Sequence, residues 1–175
     1  DECGNSIEAS TFVHVNDLTP PMVDVYPTNG EAECDGSGNT AEYQAWLDSR
    51  GGFMASDNCS DVTYDYDATA FDGCSEFTGG YNVVFYAEDG CGNVTSVEAS
   101  FYINDTTDPE LVGVPENILD PIECDQVPAP AMVTANDDCS EAMIEFNEEY
   151  EYGSDEYMCE YTIIRTWTAT DECDN

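Results

Sequence analysis

The sequence predicts an all-β chain of two tandem β-sandwich modules, on an internal repeat, period-two alternation and a cysteine-rich composition. The phrase Asp1-Glu2-Cys3-Gly4-Asn5 recurs as Asp89-Gly90-Cys91-Gly92-Asn93 and again as Asp171-Glu172-Cys173-Asp174-Asn175. Asp57-Asn58-Cys59-Ser60 is echoed by Asp137-Asp138-Cys139-Ser140, and Glu33-Cys34-Asp35 by Glu123-Cys124-Asp125. A period of roughly 80–90 residues exceeds a helical solenoid unit and suits small sandwich modules joined in line.

Taken in order, the first strand ends in Val15-Asn16-Asp17-Leu18-Thr19-Pro20-Pro21, a linker that returns as Ile103-Asn104-Asp105-Thr106-Thr107-Asp108-Pro109. Thr40, followed by Ala41, Glu42, Tyr43, Trp46 and Leu47 and then Gly51-Gly52, predicts a capped helix over about 40–50, inserted in the first module. Its aromatic side is expected to plug a sandwich edge. Beyond it Val62, Tyr64 and Tyr66 face opposite to Thr63, Asp65 and Asp67, the alternation of a half-buried strand. Val97, Ala99, Phe101 and Ile103 make a second such face. Ile144, Phe146, Tyr150 and Tyr152 make a third, and Tyr161, Ile163 and Trp167 a fourth.

Composition removes whole classes of partner. Acids number 39 against two Lys plus Arg, Arg50 and Arg165, for a formal charge of −37. A chain without cations binds neither nucleic acid by counterion release nor an anionic membrane surface. No run of about 18 apolar residues exists to insert in a bilayer. Absence of lysine excludes Schiff-base chemistry and lysine isopeptide staples. Nine cysteines point to a disulfide framework in an oxidising, extracellular setting. There is no C-x-x-C and His14 stands alone, so no zinc pattern is present. With 41% hydrophobic residues the chain still has the means to build a core.

Pro115-Glu116-Asn117-Ile118, Ala135-Asn136-Asp137-Asp138-Cys139-Ser140, the run Tyr161-Thr162-Ile163-Ile164-Arg165-Thr166-Trp167 on to Cys173, and the linker at 104–109 resemble the hyalin-type repeat. The segment 36–42 with Ala45-Trp46-Leu47 and Gly51-Gly52 is similar to the helix-bearing variant common in tandem arrays of bacterial surface proteins. The resemblance covers nearly the whole chain. It implies two immunoglobulin-like β-sandwich modules, an extracellular adhesive or structural role, and no catalytic residues. Boundaries follow: 1–17, a G-type strand completing a preceding or neighbouring module; 18–105, the first module; 106–175, a second module lacking its own last strand.

If each module is immunoglobulin-like, strand direction assigns the cysteines to poles. Cys34, Cys74, Cys124 and Cys159 fall at C-terminal poles; Cys59, Cys91, Cys139 and Cys173 fall at N-terminal poles. The expected pairs are Cys34–Cys74, Cys59–Cys91, Cys124–Cys159 and Cys139–Cys173, with Cys3 unpaired or intermolecular; other connectivities stay open. The unmatched terminal strands have two readings. Residues 6–15 add to the open edge of a neighbour's second module in a head-to-tail polymer, or the chain is an excerpt of a longer tandem polypeptide.

At the N-terminal poles the acids gather in loops: Asp57, Asn58 and Asp61 with Asp89 and Asn93 and the linker Asp17, then Asp137, Asp138 and Glu141 with Asp171, Asp174 and Asn175 and the linker Asp105 and Asp108. Loops of one sign meeting at a junction repel unless a cation is shared, and calcium accepts six to eight oxygens without nitrogen or sulfur. Nothing matches the EF-hand spacing. A further group, Glu145, Glu148, Glu149, Glu151, Asp155, Glu156 and Glu160, reads as a solvated strand face that resists aggregation. The sequons at Asn58, Asn93 and Asn104 sit on predicted loops, and the acceptors Asn58 and Asn93 are themselves proposed ligands.

The function expected is a subunit or repeat of an extracellular filament or stalk. Its partners are further copies of itself, and it is stiffened by disulfides and junctional Ca2+. The alternative is an adhesin module binding a glycan or cell-surface protein through Trp46, Tyr43 and loop tyrosines. An enzyme is not expected, since no carboxylate pair stands apart and no histidine triad or phosphate loop exists. High-salt adaptation is a rival source of the acidity, with stability then following total ionic strength.

Overall fold

A computed structural model describes residues 2–153 and 160–175. The longest alternating runs become a meander of three antiparallel strands: β4 (Thr63–Asp72), β5 (Gly79–Glu88) and β6 (Val94–Asn104). β2 (Gly30–Glu33) joins β6 in parallel, giving a four-stranded sheet in the order β2-β6-β5-β4. β1 (Met22–Val25) and β3 (Met54–Ser56) pair separately and antiparallel, and carry Val23 and Ala55 onto the core. The long strands β4, β5 and β6 carry aromatic, β-branched or alanine side chains at alternate positions, which fit a pleated, half-buried surface.

The core lies in this first half. Phe53 and Phe85 are 0% exposed, with Leu47, Val83, Ala87, Val97 and Ala99 around them. Burying a phenylalanine this fully stabilises by about 1.5–3 kcal/mol. The face foreseen at Val97, Ala99, Phe101 and Ile103 is buried along its length. Tyr64 meets Phe53 edge-on at 5.7 Å, and its hydroxyl accepts from the Ala55 N–H at 2.9 Å and donates to the Ala55 carbonyl at 3.0 Å.

The inserted helix, α1, spans Thr40–Asp48 and is followed by a 3-10 turn at Arg50–Gly52. Its cap is Asn39, at φ 49 and ψ 40, one residue before the Thr40 expected to begin it. The Asn39 amide donates to the Glu33 carbonyl at 2.8 Å, so this buried side chain fixes where the helix starts. Tyr43 stacks on Tyr81 at 3.9 Å, and Trp46 packs against Phe85 and Phe101 at 5.5 and 5.6 Å. The Trp46 indole N–H donates to the Thr28 carbonyl at 3.0 Å. The aromatic side is thus a plug. Gly30 passes beneath it, where a Cβ would collide with the rings of Phe101 and Trp46. Trp46→Ala is expected to cost about 3–5 kcal/mol, read by urea denaturation.

The second half repeats part of this plan. β7 (Glu110–Val112) pairs with β8 (Thr134–Asn136), setting Leu111 opposite Ala135 as β1 and β3 set Val23 opposite Ala55. β9 (Met143–Tyr152) and β10 (Tyr161–Thr170) pair antiparallel like β4 and β5. Among the described residues nothing extends this ladder as β6 extends β5. The expected face is therefore formed but uncovered. Phe146 and Trp167 meet at 5.2 Å, and Tyr161 lies between Tyr150 and Tyr152, yet Phe146, Tyr150 and Tyr152 are all exposed.

Residues 5–21 form no strand, and Ile7 (98% exposed), Phe12, Val13 and Val15 point their apolar side chains to solvent. The N-terminal strand expected over 1–17 is thus not formed in the isolated chain, where this apolar stretch has no strand neighbour among the described residues to set its backbone. No helix among the described residues is long and apolar enough to cross a membrane.

Candidate metal centre

Two disulfides tie the halves together, Cys34–Cys139 and Cys74–Cys173, with Cα–Cα distances of 5.9 and 5.1 Å. These spans suit a disulfide. They replace the expected Cys34–Cys74 and Cys139–Cys173. The end of the first half that carries Cys34 and Cys74 stands against the loops that carry Cys139 and Cys173, so each sulfur meets its partner across the junction. Cys59 and Cys91 are exposed thiols, not the disulfide expected. Their counterparts Cys139 and Cys173 bond to the other half and not to each other. The expected Cys124–Cys159 pair lies outside the described residues through Cys159. Disulfides of this kind persist in a non-reducing compartment.

Contacts around the disulfides are close. The Ser75 hydroxyl donates to the Cys139 carbonyl at 3.0 Å. Gly36, at φ +68, lies so near the Asp138 carbonyl that a Cβ would overlap it. Gly36→Ala is therefore expected to lower the melting temperature by several degrees, through both the left-handed backbone and the clash.

The acidic loops are built alike on the two halves. Asp57 accepts from the N–H groups of Cys59 (2.7 Å) and Ser60 (3.0 Å), and Asp137 from those of Cys139 (2.8 Å) and Ser140 (3.0 Å). Asp89 accepts from the N–H groups of Cys91 and Asn93, and Asp171 from those of Cys173 and Asn175. Such side-chain to backbone bonds are the usual reason for Asp in tight turns. The Asn93 amide then reaches the Asp17 carbonyl at 3.3 Å, and the Asn175 amide the Asp105 carbonyl at 3.0 Å. Linker and loops converge in the same manner twice.

Each convergence produces an oxygen-bearing cluster, Asp17 with Asp57 and Cys59, and Asp105 with Asp137 and Cys139, whose ligand atoms lie within 4.8 Å of one another. Charge is strained here. Asp105 is 7% exposed. Burial pushes its carboxyl above the ordinary value, the Thr107 N–H opposes this, and Asp137, Asp171 and Glu33 add like charge that raises it further. For Asp171 burial raises the carboxyl, but the Asn175 amide and the Asn175 and Cys173 N–H groups outweigh it and hold it low. The Asn93 amide does most to hold Asp89 low. Glu33 is held low chiefly by the Thr106 N–H at 2.7 Å, with the Thr106 and Thr107 hydroxyls adding to it.

A cation fits this donor set. Asp17 Oδ2 is buried with no hydrogen-bond partner, an acceptor of the kind that otherwise costs free energy. Cys139 is committed to a disulfide, so only carboxylate oxygen is common to both clusters. Hard oxygen ligands favour calcium over zinc or copper.

Of the sequence-predicted ligands, Asp17, Asp57, Asp105 and Asp137 are brought together. Asp89, Asn93 and Asp171 order the loops beside them. Asn58, Asp61, Asp108, Asp138 and Asp174 remain exposed outside both clusters. Glu33 was missed by sequence reasoning; its only signal was the Glu-Cys-Asp echo. The Asn93 amide also donates to Asp89 at 2.7 Å, so a glycan there would break the loop. On the acidic strand face Glu148 pairs with Arg165 at 2.8 Å, while Glu145, Glu149, Glu151 and Glu160 face solvent. Asp155 and Glu156 of that group lie outside the described residues. No protein-family model matches the chain, and no curated protein matches it.

Proposed function

We propose that the chain is a structural subunit or repeat of an extracellular filament or stalk. It consists of two tandem immunoglobulin-like modules of the hyalin type, made rigid by disulfides and by calcium at the module junctions. The observation that carries this reading is the coincidence at one junction of two cross-linking disulfides and a carboxylate cluster. The same cluster recurs at the far end of the first half, around the unpartnered Asp17 oxygen. A line of modules with one junction chemistry repeats along an axis without closing.

The exposed apolar residues Ile7, Phe12, Val13 and Val15 support strand addition to a module of the same kind. Ile7-Glu8-Ala9-Ser10 echoes Val97-Glu98-Ala99-Ser100 of β6, so the segment carries the sequence of a third meander strand. Main-chain bonds would supply affinity, and alternate apolar side chains would fill the uncovered face over Phe146 and Tyr150.

Calcium in this role binds the folded junction and leaves the unfolded chain alone. At constant ionic strength, millimolar calcium is expected to raise the melting temperature by roughly 5–10 °C over EDTA, if calcium stands about a hundredfold above its dissociation constant. Equal stabilisation by sodium chloride of matched ionic strength would replace the calcium reading with salt adaptation.

A further inference from the structure

The two acidic clusters share carboxylates but differ in sulfur. At the junction Cys139 is committed to the Cys34–Cys139 disulfide, so the Asp105 and Asp137 cluster offers oxygen alone. At the far end of the first half Cys59 is a free thiol, and its Sγ and carboxylate oxygens of Asp17 and Asp57 lie within 4.8 Å of one another. A second free thiol, Cys91, stands on the adjoining loop, which the Gly90 N–H fastens to the Ser60 hydroxyl at 2.8 Å. Desolvation first, then the charges of Asp17 and Asp57, then Cys91, raise the Cys59 thiol above its ordinary value, so the four groups lie within one another's reach.

The backbone prepares these donors. Asp57 Oδ2 accepts from the N–H groups of Cys59 and Ser60 at 2.7 and 3.0 Å, and Asp17 Oδ1 from that of Thr19 at 3.1 Å. Each carboxylate is thus held by one oxygen, and its other oxygen is left to a ligand. Asp17 Oδ2 is buried with no hydrogen-bond partner among the described residues, an acceptor of the kind that a bound ion completes. Asp89 is not such a donor: its Oδ1 takes the N–H groups of Cys91 and Asn93 and its Oδ2 the Asn93 amide, so it orders the Cys91 loop. Calcium makes no use of sulfur. Two thiolates with two carboxylates suit zinc, which takes four donors tetrahedrally, with bonds of about 2.3 Å to sulfur and about 2.0–2.2 Å to oxygen.

We infer that Asp17, Asp57, Cys59 and Cys91 form a zinc site at this end of the first half. Zinc takes the place of calcium at this cluster, and the Asp105 and Asp137 cluster keeps calcium; the inference does not depend on the filament reading. Sequence spacing hides the site, because its ligands come from three separate segments: the linker at Asp17, the loop at 57–61 and the loop at 89–93. Each thiol gives a proton to solvent as its zinc–sulfur bond forms, and no electron is transferred. The bound ion ties the linker to both loops. It also holds the two sulfurs as metal-bound thiolates, which keeps them from oxidising to a disulfide.

The chain, purified under nitrogen in metal-free buffer, is titrated with cadmium as a spectroscopic stand-in and then with zinc in competition. A single cadmium per chain is expected, with a sulfur-to-metal charge-transfer band that zinc removes. Zinc should also protect Cys59 and Cys91 from alkylation, read by peptide mass spectrometry, and leave the exposed Cys124 reactive. Cys59→Ser and Cys91→Ser should each remove about half of the band, and Asp17→Asn should keep the band but weaken binding about tenfold or more. Recovery of the Cys34–Cys139 and Cys74–Cys173 peptides shows that each variant folds. A Cys59–Cys91 disulfide in the chain as purified, equal protection of Cys124, or an unchanged band in Cys59→Ser would overturn the inference. Calcium stabilisation in a chain that binds no zinc would overturn it and leave the calcium junction standing. Zinc binding at Cys59 and Cys91 in a chain that calcium does not stabilise would support it and count against that junction.

Discussion

Replacing Cys34 and Cys139 together by serine is expected to destabilise the oxidised chain by about 4–5 kcal/mol, the chain-entropy value for a loop of that size. The residues are 105 apart in sequence, so the unfolded chain loses a large closed loop when they are freed. The loss should not be spread evenly. The buried clusters draw their side chains from the first half except for Cys139, while Phe146, Tyr150 and Tyr152 are left exposed on β9. Without the staple, the second half should therefore melt first. The two tryptophans sit one in each half, so Trp46→Phe isolates Trp167 as a reporter of β10. Urea denaturation followed by Trp167 fluorescence should then fall at lower urea than the far-ultraviolet signal. A shift under 1 kcal/mol with coincident transitions would mean that the disulfide does not hold the halves together.

Asp105→Asn is expected to change sign with calcium. Its carboxyl is raised in the folded chain, so the apo fold holds this proton more firmly than the unfolded chain does. Its favourable contribution is then fullest below the unfolded value of about 3.9 and is lost as pH rises through the folded value. At neutral pH in EDTA the ionised group opposes folding, and the neutral amide should raise the melting temperature. In calcium the same carboxylate is a ligand and must be deprotonated to bind. There the variant should melt below the parent, and the calcium-induced rise should fall by about half or more. Asp89 and Asp171 have the opposite sign: their lowered carboxyls contribute above the ordinary aspartate range, and that contribution is lost on acidification. If Asp105→Asn melts below the parent in both conditions, the residue acts through its hydrogen bonds and not through charge.

Much of the architecture was legible because period-two alternation and turn residues are local signals. Val97, Ala99, Phe101 and Ile103 could be placed inward from sequence, and the plug of Tyr43 and Trp46 followed from helical spacing. Cysteine pairing was not legible. Strand direction places Cys34 and Cys74 at one end and Cys139 and Cys173 at another, but which ends touch is a tertiary fact with no local cue. Asn39 could not be preferred to Thr40 as the helix cap, because the choice depends on a bond to the Glu33 carbonyl. The site was half visible for the same reason. Asp57 and Asp137 lie in recognisable turns, whereas Glu33 meets the Thr106–Thr107 linker beside the second cluster only because β2 runs beside β6 and ends there.

On the proposed function, the junction between the halves is a calcium-dependent unit that repeats between copies. Sedimentation velocity at constant ionic strength, in millimolar calcium and in EDTA, tests it most directly. Monomers are expected in EDTA and a series of elongated multimers in calcium, reversed by chelation. A single monomer boundary of unchanged shape in both buffers would contradict it.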